Sequence, residues 1–233
     1  MVRINSGPAS RGSRFHLQNL VNGNCEYLNQ LVLSCSSSLY EYATMKPIWL
    51  SPLACQNYRE YRDNSFLEVL GLSNLKQKLC GFWPRLGPSW DALATVSGNN
   101  GGHGVILLEA KSHFKELGNP ACACGAKGKS LEKIESSLST VKSALGVKKD
   151  YNWLGNYYQY ANRLAHLYWL NIGERVPTWM VLLYFIGDQE QRGPNTVAEW
   201  RTKLNEMKAE LGLPERHSLT NRIIEIFSPV HTA

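Results

Sequence analysis

With 233 residues, 43% of them hydrophobic, the chain can bury one sizeable core and is expected to fold as a single domain. Its longest apolar stretches, Val105 to Leu108 and Trp179 to Ile186, fall well short of the ~20 residues a membrane-spanning helix needs, so no membrane partner is expected. The formal net charge of +6 suits a polyanion such as nucleic acid, but Arg3, Arg11 and Arg14 supply half of it from an acid-free opening segment, and a solvated basic surface accounts for it equally well.

No continuous apolar run follows those arginines, so a secretory signal is not expected and cytoplasmic residence is the default. Residues 1–14, rich in Gly, Ser, Pro and Arg, should be loose. From Phe15 to about Thr44 the apolar positions recur at helical spacing, interrupted by Asn22-Gly23, which predicts two helical pieces. The stretch 45–55 holds Pro47 and Pro52 and is predicted to turn the chain, and Asn64 to Leu79 reads as a broken helix. Residues 15–80 thus form a helical part packed on an α/β core at 81–233.

The composition changes at Gly81, where turn formers mix with bulky aromatics. Trp90 to Val96 reads as a strand, and the small, polar run Ser97 to Gly104 as a hairpin connection. The nearly continuous apolar run Val105 to Ser112 predicts a central strand buried on both faces. Helices are predicted at Leu131 to Leu145, Trp153 to Leu170 and Thr196 to Leu211, with a buried strand at Pro177 to Ile186 and a short apolar segment at Ile223 to Phe227. The six cysteines are expected to be free thiols. Only Cys122 and Cys124 are close, and a lone C-x-C without a second pair is weak evidence for zinc.

Alternation along the central strand points Glu109, Lys111 and His113 the same way. Charges in an apolar strand need partners: each other, a further acid, a metal, or solvent in a cleft. Asp91, at the start of the preceding strand, would lie beside Glu109 if the hairpin closes. A divalent cation would then offset the repulsion of two carboxylates, with the lysine beside it. Such a cation polarises a phosphoryl oxygen and activates water, which is what phosphodiester hydrolysis requires. The plainer alternative is a Glu109–Lys111 salt bridge at a strand end, with Asp91 capping a turn, because E-x-K tripeptides are frequent by chance.

Asp91 followed by Glu109-Ala110-Lys111 in two successive strands resembles the active-site signature of the PD-(D/E)xK, or restriction-endonuclease-like, nuclease superfamily. The segments Phe82 to Asp91, Val105 to His113 and Tyr157 to His166 also resemble a group of mostly uncharacterised, chiefly bacterial proteins placed in it, over about Phe82 to Ile186. The resemblance implies an α/β fold with an αβββαβ core, a central mixed sheet flanked by helices, and a helical N-terminal extension. That core needs one more strand, expected near Leu79 to Trp83. The resemblance further implies Mg²⁺ (or Mn²⁺) held by Asp91, Glu109 and the Ala110 carbonyl, Lys111 in the catalytic role, DNA as substrate, and a possible homodimer. Trp90 stands where the family's proline would precede the aspartate, with Pro88 further back. Many members carry another acid on the helix before the sheet, for which Glu68 is the candidate and Glu60 the reserve.

Gln159, Asn162, Arg163 and His166 form a polar stripe on the helix before the last core strand, able to orient water or hold phosphates. The same stripe reads equally as an ordinary solvated face. His113 either joins the site or caps the strand's exit. Trp83, Trp90, Tyr157 and Tyr158 suit base stacking, though core packing is the more economical expectation. Besides a metal-dependent nuclease, two readings remain open: a catalytically silent nuclease-like fold that binds nucleic acid or protein, and a structural protein with a buried ion network.

Overall fold

The computed structural model describes residues 6–230. In chain order the elements are α1 (Gly12–Gly23), α2 (Cys25–Ser34), α3 (Ser37–Tyr42), β1 (Ile48–Ser51), α4 (Asp63–Val69), α5 (Lys76–Phe82), β2 (Ala92–Ser97), β3 (His103–Lys111), α6 (Phe114–Leu117), α7 (Gly128–Leu145), α8 (Tyr158–Tyr168), β4 (Thr178–Ile186), α9 (Val197–Glu210) and β5 (Ile223–Pro229). Among the described residues the strands form one five-stranded mixed sheet in the order β1-β2-β3-β4-β5. The pairs β1–β2 and β2–β3 are antiparallel, whereas β3–β4 and β4–β5 are parallel.

Local chemistry explains most of these elements. In α7, Ile134, Leu138, Val141 and Leu145 recur every three or four residues and are buried, and Gly146 ends the helix at φ 74°, a left-handed conformation that suits glycine. The hydroxyl of Thr196 accepts from the Glu199 amide at 3.2 Å while Glu199 accepts from the Thr196 amide at 2.9 Å, a reciprocal cap that starts α9. A parallel neighbour needs a crossover, and α6–α8 carry the chain from β3 to β4, as α9 carries it from β4 to β5.

The two faces of the sheet bury separate cores. Val105 and Leu107 of β3 pack with Leu93, Met180 and Leu182 beneath α4, α5, α7, α8 and α9. Ile106, Leu108 and Ala110 face the other way, with Ala92, Ala94, Val181 and Leu183, onto Leu17, Leu28, Val32 and Leu39 of α1–α3. Strand β3 lies between β2 and β4, as its apolar run predicts, and Glu109 and Lys111 share the first of these faces.

Several expectations need correction. No strand forms near Leu79 to Trp83; that stretch belongs to α5, because Leu75, Leu79 and Trp83 recur at four-residue spacing and all three are buried in one core. The early strand is β1 instead. Pro47 and Pro52 bracket it rather than break it, and an edge strand tolerates proline at its ends. The segment 15–44 makes three helices, not two. The segment expected to be loose at 1–14 is helical from Gly12, and before it the Gly7 and Ala9 amides donate to the Asn57 carbonyl and to Gln18; Met1 to Asn5 lie outside the described residues. The helix expected from Trp153 starts only at Tyr158, and the short segment at Ile223 to Phe227 is a full edge strand.

Candidate active site

The β2–β3 register pairs Ala92 with Leu108 and Leu93 with Leu107; continued by one step, it sets Asp91 opposite Glu109. Asp91 Oδ2 accepts a hydrogen bond from the Ala110 amide at 2.8 Å, which holds the side chain at the end of the hairpin ladder. Lys111 Nζ donates to Glu109 Oε1 at 2.6 Å, and Arg163 Nε of α8 donates to Glu109 Oε2 at 2.9 Å. The two acids and the amine that the sequence singles out therefore meet on one face of the sheet, and α8 adds a guanidinium to them. The other Arg163 donors reach Asn162 Oδ1 at 2.9 Å and the Ser89 carbonyl at 3.0 Å, and its guanidinium lies 5.6 Å from the centre of the Trp90 ring.

A further acid completes the row. An antiparallel bridge joins Tyr61 to Trp90, so Glu60 falls opposite Asp91 on the side away from Glu109. Glu60 is 5% exposed, ion-paired to Arg14 Nε at 3.0 Å and accepting from the Ser89 hydroxyl at 3.3 Å. Glu60 is thus paired with Arg14, and Glu109 with both Lys111 and Arg163, while Asp91 lies between the two acids with no ion pair to a described residue. Of these, only Arg14 and the joining Ser89 escaped the sequence reading, since their roles depend on chain crossings with no local signature.

The electrostatics of the row are uneven. Burial, followed by the charge of Glu109, holds the Asp91 carboxyl well above the usual carboxylate range; Glu60 adds to the rise, while Lys111 and the Ala110 amide oppose it. Burial also penalises ionised Glu109, but Arg163 and Lys111 together outweigh it and draw its carboxyl below the usual range. Burial likewise works against the Lys111 ammonium, yet Glu109 and Asp91 raise it. Lys111 is therefore a cation at neutral pH, whereas Asp91 is a reluctant anion.

The remaining predicted residues divide. Gln159 is half-buried and, with Glu109, Lys111, Arg163 and Tyr184, lines a cavity of about 20 Å³, room for roughly one water molecule. Asn162 is buried and serves Arg163. Glu68 is kept out of the row by its exposed position on α4, where it pairs with Lys76. His113 follows the end of β3, so strand alternation no longer governs it, and its Nε2 lies 4.0 Å from Glu116 of α6. Trp83, Trp90 and Tyr157 are core residues and Tyr158 is half-buried.

Two carboxyls and a backbone carbonyl are the hard oxygen donors that Mg²⁺ or Mn²⁺ takes, with water filling the other positions. The donor types suit such an ion, although Lys111 and Arg163 already engage both Glu109 oxygens. Asp91 Oδ1 makes no hydrogen bond to a described residue, and the negative charge crowding Asp91 is what a cation would relieve. In a strand the N–H and C=O of one residue project to the same edge, so the Ala110 carbonyl lies on the Asp91 side. The donor set is sparse: among the described residues no group of three or more His, Cys, Asp or Glu side chains is arranged to hold a metal, and Cys122 and Cys124, both free, form no such group. No described helix is long and apolar enough to cross a membrane.

Compared with protein-family models, curated proteins and solved structures, the chain matches none of them.

Proposed function

We propose that this protein is a metal-dependent phosphodiesterase acting on DNA, with a restriction-endonuclease-like core in which β1, β2, β3 and β4 serve as the four core strands. The observation that carries the reading is the meeting of Asp91 and Glu109 across adjacent strands with the Lys111 ammonium 2.6 Å from one of them. Asp91, Glu109 and the Ala110 carbonyl would hold Mg²⁺ or Mn²⁺, which when bound supplies Lewis-acid polarisation of the phosphoryl group and a more acidic water. Lys111, protonated through its carboxylate neighbours, stabilises negative charge developing on the phosphoryl oxygens; a cation of this kind does not abstract the proton of water. Arg163 clamps Glu109 and, through the Ser89 carbonyl, ties the chain leading into Asp91 to α8. Gln159 borders the small cavity beside Glu109 and Lys111, where an amide can orient a water molecule.

One observation favours a second reading, a catalytically silent nuclease-like fold. Both oxygens of Glu109 are already engaged by cationic side chains, so the row is also a closed ion network. Incubation of circular single-stranded and double-stranded DNA with the protein in Mg²⁺ or Mn²⁺ separates the two. Cleavage by the wild type, with a loss of at least about a hundredfold in Lys111→Ala and in Asp91→Asn, is the expected result. Absence of cleavage in both metals with both substrates, from folded wild type, would leave the silent fold standing.

A further inference from the structure

A cavity of about 410 Å³ opens beside the acid row, within the roughly 300–1,000 Å³ range of small-molecule sites. Glu60 and Ser89 line it, so it shares a wall with the site of Asp91 and Glu109. Arg59, Arg62 and Arg85 stand around it, and none of the three makes an ion pair with a described residue. The acids nearby are already engaged: Asp63 accepts from the Leu86 and Gly87 amides at 3.1 and 2.9 Å, and Glu60 is held by Arg14 and Ser89. Three guanidiniums without a carboxylate partner among the described residues, one of them (Arg59) lying 5.0 Å from the centre of the Tyr61 ring, are suited to phosphate.

Apolar side chains line the cavity as well. Trp83 and Leu79 line it together with His166, a residue only 1% exposed. The imidazole is ringed edge-on by Phe66, Phe82, Trp83 and Trp90. Its Nδ1 lies 2.8 Å from the Asn162 backbone carbonyl; only a donor serves there, so Nδ1 carries the proton and Nε2 keeps its lone pair. Burial holds this imidazole down to about 4, which leaves it neutral at pH 7. Nε2 has no hydrogen-bond partner among the described residues, and a methyl group on Gly87 would come within 3.5 Å of it. The absence of a side chain at Gly87 is what leaves this acceptor uncovered. An acceptor that opens onto a cavity is free to receive a donor from whatever occupies it.

We propose that this cavity receives one unstacked nucleotide of a single-stranded nucleic acid: its phosphates against Arg59, Arg62 and Arg85, its base against Trp83, and an N–H of the base edge donating to His166 Nε2. The assignment rests on the phosphodiesterase reading and deepens it, because a nucleotide held here places the neighbouring phosphodiester on the Ser89–Glu60 side, toward Asp91. A base enters such a cavity only when unpaired, so the substrate class is single-stranded or frayed nucleic acid.

The test measures equilibrium binding of a fluorescent single-stranded oligonucleotide in EDTA, where cleavage is suppressed and binding is read by itself. The triple variant Arg59→Ala/Arg62→Ala/Arg85→Ala, altered only at the cavity rim, is expected to lose at least tenfold in affinity. The slope of log K against log salt should fall by about one, as expected at ~0.7 per phosphate contact for the one or two phosphates that flank a single nucleotide. His166→Phe keeps the ring and removes the acceptor; a loss of roughly three- to tenfold with an unchanged salt slope is expected. Unaltered binding by the triple variant overturns the proposal, as does a free deoxynucleoside monophosphate that competes as strongly as the strand, which would make the cavity a site for free nucleotides. Metal-dependent cleavage retained by the triple variant alongside unaltered binding would remove this cavity while leaving the phosphodiesterase reading intact.

Discussion

Asp91 and Glu109 face each other, yet their carboxyls are displaced in opposite directions, because Arg163 and Lys111 both reach Glu109 while Asp91 receives one amide hydrogen bond and the repulsion of its neighbours. The sign of the pH dependence follows. A carboxyl raised in the folded state binds its proton more tightly there than in the unfolded chain. Its contribution to stability is full below the unfolded value and is lost as pH rises through the folded one. The metal-free protein should therefore lose stability as pH climbs from the carboxylate range toward neutrality, and Asp91→Asn should remove that loss; urea midpoints measured across this range check it. Glu109 acts oppositely, its contribution present above the unfolded value and lost as pH falls through the lowered one. Removing its partner is costly: Arg163→Ala leaves a buried carboxylate short of one cation and should destabilise by about 3–5 kcal/mol. A cost within error of zero in equilibrium unfolding would mean that the pair is solvated.

At the scale of elements, the hairpin β2–β3 sets the distance between the two acids, and its far end is packed without slack. A methyl group on Gly104 would lie 2.7 Å from the Tyr42 ring and 2.9 Å from Val96. Gly104→Ala should thus cost about 1–3 kcal/mol through overpacking, read as a lowered urea midpoint at unchanged m value. Tyr42→Ala should relieve part of it in the double variant, because the two positions share the contact. These strands were legible in the sequence: alternation placed Glu109 and Lys111 on one face, and a glycine-rich turn implied the antiparallel partner carrying Asp91. Strand β1 was not legible, since four residues between two prolines carry too short a pattern to distinguish a strand from a turn. Nor was the exclusion of a strand from 79–83, where the helical spacing of Leu75, Leu79 and Trp83 is recognisable only once their common core is known. The partnership of Glu60 with Asp91 depends on the Tyr61–Trp90 bridge, a contact between segments 29 residues apart that no local periodicity encodes. Glu60 therefore stood only in reserve, behind a helical glutamate that proves to be exposed.

For the whole molecule, sheet and helices concentrate charge at one place. Both crossovers, through α7–α8 and through α9, cover the face that carries Asp91, Glu109 and Lys111, while α1–α3 close the other face with an apolar core. The acid row is consequently walled by α8 on one side and by the chain around Glu60 and Ser89 on another, next to a basic cavity. On the proposed reading, binding of nucleic acid through the cationic side chains of that cavity should weaken with salt in proportion to the phosphates they neutralise. The central claim, a divalent cation shared by Asp91 and Glu109, is tested most directly by titration calorimetry of Mn²⁺ into the metal-free protein near pH 7, in two buffers of different ionisation enthalpy. The account predicts saturable binding in which any proton exchanged is released and none taken up, because the ion takes the ionised form of a carboxyl, and no binding by Asp91→Asn or Glu109→Gln. Wild type and Asp91→Asn binding Mn²⁺ alike, or wild type binding none, would contradict it.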